Sequence, residues 1–183
     1  MATLTKKALA ESLKILMKKA TLDKINVTDV VSHCGVNRQT FYYHFKDIYD
    51  LVEWIYKTEA VESINKYKSY NTWQQGFFMI FEYVGNNLEF CTNCFNSLGR
   101  EHLDRFLYDI TFGFLMGVVD EVAEDTDVKY REKRFIANFY TYAFIGIMTQ
   151  WIREGANEDP ANIINDINQL IEGDIKRKIH NYL

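Results

Sequence analysis

Apolar residues in the first third of the chain recur at helical spacing, with polar residues between them. One apolar stripe is opposed by a lysine-rich face and predicts an amphipathic first helix; it consists of Ala8, Leu9, Leu13, Leu16, Met17 and Ala20. A second stripe predicts a fourth helix from Lys46 to about Lys66, with Leu51, Val52, Ile55 and Tyr56 on its apolar side. Both stripes therefore predict helices in this part of the chain.

Two more helices are predicted between these stripes from the signals at their ends. Asn26 followed by Asp29 has the form of an N-cap with an acidic partner in the first turn. Gly35 should end that helix, because glycine adopts the left-handed conformation of a sharp helix exit without a steric penalty at Cβ. Asn37 should cap the next helix. The two predicted helices cover residues 27–33 and 38–45.

The second part of the chain changes in composition and in helix length. Of the 28 aromatic residues, 20 lie between Tyr67 and Trp151. Their spacing predicts helices over residues 72–87, 89–98, 101–124, 128–154 and 160–181. Nine glycines and one proline in 183 residues leave few tight turns, which disfavours β-sandwiches and barrels. We therefore predict an all-α fold with an N-terminal unit over 1–46 and a C-terminal unit over 47–183.

Composition and the length of the apolar segments indicate in which cellular compartment the protein should lie. The longest apolar stretches, 112–119 and 142–148, fall far short of the roughly 18 residues that a membrane span needs. Three cysteines are an odd number, and no signal-peptide pattern is evident, so we expect a cytoplasmic protein without a disulfide framework. A net charge of −4 argues at first against a nucleic-acid partner.

The segment 26–45, NVTDVVSHCGVNRQTFYYHF, has the layout of a helix-turn-helix. Val27, Val30 and Val31 supply the buried side of its first helix, whereas Phe41 and Phe45 anchor its second helix to the core. The remaining faces of the second helix carry hydrogen-bonding groups that suit phosphates and base edges: Arg38, Gln39, Thr40, Tyr42, Tyr43 and His44. The motif therefore predicts a DNA-reading helix.

The same segment resembles the DNA-binding domain of the TetR family of transcriptional regulators. The family pattern, alanine-glycine-valine-serine, two residues, then threonine-aromatic-tyrosine-any-histidine-phenylalanine, is similar to residues 34–45, CGVNRQTFYYHF. The resemblance implies three N-terminal helices for DNA and a longer helical part for dimerisation and effector binding. It implies phosphate contacts for Thr40, Tyr42 and His44, and positions near bases or adjacent phosphates for Thr28, Arg38, Gln39 and Tyr43. Asn37 and Lys46 complete the predicted DNA-binding set.

Two positions depart from the family pattern. Gln39 stands where a small residue usually precedes the threonine, and Ile48 replaces a lysine that often binds a phosphate. Either the affinity for the DNA backbone is therefore lower, or it rests on Lys46 and on the lysines of the first helix. The run Arg-Gln-Thr-Phe-Tyr at 38–42 and the segment 151–155, WIREG, also resemble the subgroup that contains activators of dihydroxyacetone kinase operons.

The charge of −4 divides unevenly between the two parts. Residues 1–50 contain eight basic and five acidic residues, a charge of +3, whereas residues 51–183 carry −7. The negative net charge therefore comes from the C-terminal part, which is not expected to contact DNA. A dimer would present the basic N-terminal part twice. A charge of only +3 predicts modest nonspecific affinity and a shallow salt dependence.

The C-terminal part suggests dimerisation and leaves the effector open. The last two predicted helices, over 128–154 and 160–181, carry apolar residues on more than one side and could pair with a twin. In the helix over 128–154 these residues extend beyond one stripe, and Gly146 would permit close helix approach. The apolar residues concerned are Ile136, Phe139, Tyr140, Ala143, Phe144, Ile147, Met148 and Trp151. We expect a homodimer, because helix-turn-helix proteins use two-fold symmetry to match two half-sites. The effector is a small molecule in an aromatic-lined cavity or a partner protein.

The aromatic residues of this part are first of all candidates for its core. The phenylalanines concerned are Phe77, Phe78, Phe81, Phe90, Phe95, Phe106, Phe112, Phe114 and Phe139. Large rings packed between helices also leave cavities, so the same residues could line an effector pocket.

A second class of function rests on Cys91 and Cys94, which form a C-x-x-C with His102 eight residues on. Two thiols three residues apart on a helix usually pack as small apolar residues, and neither a fourth ligand nor a thioredoxin-like pattern is evident. We expect no metal, no cofactor and no catalytic residues. The sequence thus predicts a homodimeric regulator on a near-palindromic operator; the alternative is a helical protein-interaction or redox module with a non-functional helix-turn-helix.

Overall fold

The structure, a computed structural model, describes residues 2–64, 67, 69–97, 100–171, 175, 177 and 179. The helices are α1 (Ala2–Met17), α2 (Val27–Cys34), α3 (Arg38–His44), α4 (Ile48–Tyr56), α5 (Glu62–Ile64), α6 (Trp73–Asn86), α7 (Leu88–Phe95), α8 (Arg100–Val122), α9 (Tyr130–Arg153) and α10 (Pro160–Ile171). A 3₁₀ turn covers Leu22–Lys24, and a π-helical turn, Lys57–Val61, follows α4. The described residues contain no β-strand, so the predicted all-α fold is confirmed.

One helix ends earlier than predicted, and the predicted end of another lies outside the described residues. The fourth helix was expected to run to about residue 66, but regular α-helical geometry ends at Tyr56 and gives way to the π-helical turn. Residues 65 and 66 lie outside the described residues. The last helix was expected to reach residue 181; α10 is described to Ile171, and beyond it only residues 175, 177 and 179 are described.

The chain forms two compact units. The first comprises Met1–Glu59 and Asn87–Phe106, and the second comprises Ala60–Asn86 and Leu107–Leu183. The first unit therefore contains α7 in addition to the four N-terminal helices. The functional boundary between residues 46 and 47 stays a prediction. In the described part of the chain, no helix is both long enough and apolar enough to cross a membrane.

The core of the first unit is built around α1. Leu9, Leu13 and Met17 are buried as predicted. The prediction for Ala8 is wrong: it is exposed, and Ala10 is buried instead, because the buried stripe passes through positions 9, 10, 13 and 17.

Lys14 departs from the lysine-rich exposed face that was expected of α1. Its Nζ lies 2.8 Å from carboxylate oxygens of both Glu11 and Glu59. Burial alone would lower the pKa of Lys14, but hydrogen bonds and attraction from the two carboxylates outweigh burial and raise that pKa above its usual value. This lysine therefore links α1 to the π-helical turn and is already paired within the subunit.

An asparagine of α7 anchors the end of α1. The Asn93 side-chain amide donates to the backbone oxygens of Met17, at 3.1 Å, and Ala20, at 2.9 Å, and its Oδ1 accepts from the backbone N–H of Leu22, at 2.8 Å. Two carbonyls left unpaired at the end of α1 and one donor of the following turn are thereby satisfied. No local sequence pattern predicts this contact, because it joins residues more than 70 positions apart.

The cysteines that flank Asn93 point into the interior. Cys91 and Cys94 are free thiols, and both are buried. Burial raises the pKa of the Cys91 thiol to about 12 and raises that of Cys94 as well, and the Tyr56 side chain only partly opposes this effect. Among the described residues, no group of three or more His, Cys, Asp or Glu is arranged to hold a metal ion. The side chain of His102 lies outside what the structure describes.

Aromatic rings fill the core of the second unit. The rings of Phe77 and Phe144 stack with centroids 3.7 Å apart, and Phe114 meets Phe77 edge-on at 5.0 Å. Gly76 allows this packing, since a Cβ there would come within 2.8 Å of the Phe114 ring.

The prediction that every phenylalanine of the aromatic group is core is wrong for Phe139, which is 63% exposed. Its helix, α9, has a buried side and an exposed side that are both apolar, and sequence spacing does not distinguish them. Phe78, Phe106 and Phe112 are half-buried, and the other members of the group are buried.

Replacing Asn93 by aspartate should destabilise the protein by about 2 kcal/mol, because a carboxylate repels the two carbonyls that the amide satisfies. The free energy of unfolding measured by urea denaturation checks this, with Asn96→Asp as the control, since Asn96 is exposed near the end of the same helix. Equal effects of the two substitutions would contradict the anchoring role of Asn93.

We expect thiol reagents to modify Cys34 first in the native protein, because Cys34 is half-buried and the other two thiols are buried with raised pKa values. Raising the pH from 7 to 9 should leave Cys91 unmodified, since its thiol stays protonated in that range. Mass spectrometry after timed alkylation, compared with urea-unfolded protein, measures the rates. Fast modification of Cys91 or Cys94 at pH 7 would instead support the redox alternative.

Candidate nucleic-acid interface

Both helices of the helix-turn-helix, α2 and α3, are capped at their N-termini. Asn26 Oδ1 accepts from the backbone N–H groups of Thr28, at 2.8 Å, and Asp29, at 3.2 Å, while Asp29 Oδ2 accepts from the Asn26 N–H at 2.8 Å. This reciprocal pair is the predicted capping box. Gly35 has φ +74°, the left-handed conformation expected at the exit of α2.

Asn37 begins α3 and fixes its first turn. Its Oδ1 accepts from the Thr40 backbone N–H at 2.7 Å and from the Thr40 hydroxyl at 3.0 Å. The hydroxyl hydrogen of Thr40 is therefore engaged within the helix, although the amide group of Asn37 can still donate. The predicted cap at Asn37 is confirmed.

Burial of Phe41 determines which side of α3 is exposed. Phe41 is fully buried, Phe45 is buried next to it, and their ring centroids lie 5.8 Å apart. Arg38, Gln39 and Tyr42 are exposed, and Tyr43 is 82% exposed. A tyrosine with so little contact in its own subunit contributes almost nothing to the core.

Neighbouring side chains on α3 contact one another. The Arg38 guanidinium lies 6.0 Å from the centre of the Tyr42 ring, and its Nη2 is 3.4 Å from the Tyr42 hydroxyl. The ring of half-buried His44 meets the Tyr43 ring edge-on at 4.9 Å. These contacts order a surface of hydrogen-bonding groups on the exposed side of the helix.

The other predicted contact residues lie outside α3. Thr28 is exposed in the first turn of α2, and Lys46 is exposed directly after α3 with its backbone N–H bonded to Asp50 Oδ2 at 2.8 Å. Ile48, in the position of the family lysine, is buried. Lys6 of α1 places its ammonium 5.4 Å from the Phe45 ring centre and 5.9 Å from that of Trp54. All nine predicted residues thus fall within residues 28–46 of the first unit.

The second unit contains two grooves that could accept other molecules. One, between α6 and α10, has a volume of about 480 Å³ and is lined by carboxamides and apolar groups, among them Gln74, Asn165 and Phe78. The other lies between α9 and α10, has about 380 Å³, and combines Trp151 with acidic residues such as Glu158. Both volumes fall within the range of small-ligand sites.

The chain matches a family model and several known proteins. The TetR-type model described as "Transcriptional regulator C-terminal region" matches residues 71–173, more than half of the chain. The dhaKLM operon transcriptional activator DhaS of Lactococcus lactis subsp. lactis (strain IL1403) is 26% identical over 154 residues, which cover 83% of this chain and 81% of that protein.

Solved structures share the fold. The structure of the dihydroxyacetone kinase operon activator DhaS superimposes with a TM-score of 0.73 at 24% identity, covering 95% of this chain and 97% of that one. NalD of Pseudomonas aeruginosa, a repressor of the MexAB-OprM efflux pump, superimposes with a TM-score of 0.68 at 10% identity, covering 93% and 94%. The family consists of regulators rather than enzymes. The chain therefore belongs to the TetR family and is a helix-turn-helix transcriptional regulator.

Proposed function

We propose that the protein binds double-stranded DNA as a homodimer, with α3 of each subunit in the major groove of a near-palindromic operator. The observation that supports this proposal is the exposed side of α3. Arg38, Gln39, Tyr42 and Tyr43 are exposed there, while Phe41 is fully buried. An exposed run of aromatic and amide side chains serves no purpose in solubility, but it matches the donors and acceptors of a DNA groove.

Within this surface we assign base contacts to the most exposed side chains. Arg38, Gln39 and Tyr43 face the bases or the adjacent phosphates, whereas Tyr42, His44 and Lys46 hold the phosphate backbone at its edge. We assign additional contacts with the phosphate backbone to Thr28 and to the amide group of Asn37. Thr40 must rotate its hydroxyl hydrogen away from Asn37 before it can donate to a phosphate.

The exposed side of α9 supports the homodimer. Phe135, Phe139, Tyr142 and Ile147 are large apolar residues on this helix that remain at least one-third exposed. The corresponding surface of α10 is polar: its buried isoleucines, Ile163, Ile164 and Ile167, face the interior, and residues such as Asn162, Asn165 and Asp166 are exposed. In the described residues the apolar surface for a twin therefore comes from α9, whereas the sequence analysis had assigned it to both of the last helices.

An effector or partner protein in the C-terminal unit would regulate DNA binding by changing the separation of the two α3 helices. A dimer engages two half-sites only when its reading helices are about 34 Å apart or a multiple of that distance, so a small change in separation removes one of the contacts. The relative named as an operon activator favours activation of a dihydroxyacetone kinase operon. We accordingly expect the protein to lie in the cytoplasm, together with its DNA.

Replacing Tyr43 by alanine should weaken binding to the cognate operator at least tenfold and leave the melting temperature unchanged, because Tyr43 contacts DNA and not the core. Binding is measured by titration against the protein's own upstream region and a dihydroxyacetone kinase operon promoter, at two salt concentrations. Tyr130→Ala is the control, since Tyr130 is exposed at the start of α9, and it should bind as the wild type does.

Salt dependence separates this proposal from the alternative of a helical interaction module. Selective binding that weakens modestly with salt supports the regulator, because few phosphates are neutralised by the +3 N-terminal part. A wild-type protein that shifts none of the upstream fragments selectively would overturn DNA binding.

Phe139→Glu should shift the protein from dimer to monomer at micromolar concentration, since a carboxylate would have to be desolvated against the apolar side of the twin. Sedimentation equilibrium measures the association. Tyr130→Glu provides the matched control, because Tyr130 is also 63% exposed but lies on a different side of α9. A dimer that survives Phe139→Glu would contradict the assignment of this surface.

A further inference from the structure

The groove between α6 and α10 in the second unit is lined by uncharged side chains. Four of the described residues that line it are carboxamides, one is a tyrosine and the others are apolar, and none is acidic or basic. We propose that this groove binds an uncharged small molecule with an apolar ring system and a hydrogen-bonding edge, and that this molecule is an effector of the regulator. The inference rests on the proposed regulation by the C-terminal unit and specifies the site and the chemistry of the effector.

Each wall of the groove is one side of a helix that carries both carboxamides and apolar residues. Phe78 and Met79 of α6 are half-buried, and Ile164 of α10 is buried. The walls therefore combine apolar contact area with a few hydrogen-bonding groups, as sites for small organic molecules do. The lining positions follow the spacing of one helix side: 74, 75, 78 and 79 on α6, and 161, 164, 165 and 168 on α10.

A hydrogen bond joins the two walls. Gln74 Nε2 donates to Asn168 Oδ1, and both side chains are half-buried. Gln74 Oε1 can still accept a hydrogen bond, and the amide group of Asn168 can still donate. A carbonyl next to N–H groups is complementary to a ligand edge that carries a donor beside an acceptor, such as an amide or a lactam. Because the bond already connects α6 to α10, the site is formed before a ligand binds.

One further carboxamide lies on each wall at the exposed edge of the groove. Gln75 of α6 and Asn165 of α10 are exposed, and in the described part of the chain neither side chain forms a hydrogen bond. Each supplies a donor and an acceptor without a formal charge. Both are therefore available to polar groups of a bound molecule.

The lack of charge in the lining selects against ions. A charged ligand would lose water in this groove without gaining a counter-charge from the described lining residues, and such a transfer is costly. The groove between α9 and α10 differs, because three of its lining residues are acidic, namely Glu154, Glu158 and Asp166. With about 480 Å³, the uncharged groove has room for a ligand of roughly two to three rings.

The helix α6 links the groove to the first unit along the chain. The backbone leaves the second unit after Asn86, the last residue of α6, and continues into the segment that contains α7. A ligand that contacts α6 and α10 together would stabilise one arrangement of these two helices. The operator affinity would then change to the extent that the ligand prefers that arrangement.

A pair of fluorescent probes tests the selection for an uncharged ligand. N-phenyl-1-naphthylamine and 1-anilinonaphthalene-8-sulfonate share one ring system and differ by the sulfonate. Fluorescence titration should give a dissociation constant about tenfold lower for the neutral probe, because the sulfonate has no counter-charge in the groove. Equal affinities would contradict the selection for an uncharged ligand, and a neutral probe that does not bind would overturn the site.

Two lactams test the hydrogen-bonding edge by displacing the neutral probe. Carbostyril has an N–H donor beside a carbonyl acceptor, whereas N-methylcarbostyril lacks the donor. Displacement by the methylated compound should require about tenfold higher concentration, because its edge leaves a carboxamide acceptor without a partner. Equal displacement by both compounds would contradict a hydrogen-bonding edge.

Phenylalanine substitutions on both walls locate the bound probe. Gln75→Phe and Ala161→Phe each add a ring at an exposed position of the lining, so each should weaken binding of N-phenyl-1-naphthylamine about tenfold. Asn86→Phe is the matched control, since Asn86 is an exposed carboxamide of α6 outside the groove, and it should bind the probe as the wild type does. The melting temperature confirms folding, and the use of two helices keeps the test valid if one variant is unstable. Binding that survives both substitutions would overturn the assignment to this groove.

Operator titrations with and without the neutral probe test the effector role. Saturating N-phenyl-1-naphthylamine should change the operator affinity of the wild type by roughly threefold or more, and should leave that of Ala161→Phe unchanged. A wild-type operator affinity that is the same with and without the probe would overturn the effector role. A wild-type protein that binds the probe in the groove but shifts no upstream fragment would overturn the proposed regulator and leave the ligand site standing.

Discussion

The proposed DNA-reading surface depends on the burial of one ring, that of Phe41. The helix α3 has only seven residues, too few to hold a fixed orientation by its own backbone hydrogen bonds. Phe41 is fully buried beside Phe45, which sets the rotation of the helix about its axis, and the cap at Asn37 sets where the helix starts. With rotation and start both fixed, Arg38, Gln39 and Tyr43 have one direction in which to project. The exposed surface is therefore a consequence of the core.

Local signals in the sequence were sufficient to predict the N-terminal elements, because caps and turns act between residues that are close in the chain. The capping box at Asn26, the left-handed Gly35 and the cap at Asn37 all occur where they were predicted. The anchoring of α1 by Asn93 could not be predicted, since no local pattern marks an asparagine whose partners are more than 70 residues away. The contact residues on DNA stay predictions, although the structure places all nine in one part of the first unit.

The aromatic C-terminal helices show where apolar spacing fails as a predictor. A helix with one buried side and one side for a twin has apolar residues all round, as does a helix buried in a core. Phe139 and Phe144 lie five positions apart on α9 and could not be distinguished by residue type, yet one is 63% exposed and the other is buried. Which of the two rings is buried depends on the helices that pack against α9 within the subunit, and local sequence does not show these tertiary contacts.

Three passages of the chain join the two units. The chain passes between them after Glu59, Asn86 and Phe106. The first passage lies inside the π-helical turn, a geometry that is rare and often found at functional sites. The second and third bracket the segment that contains α7, whose Asn93 holds the end of α1. In the proposed regulation, a displacement of α6 or α8 would therefore reach α7 along the backbone and, through Asn93, the end of α1.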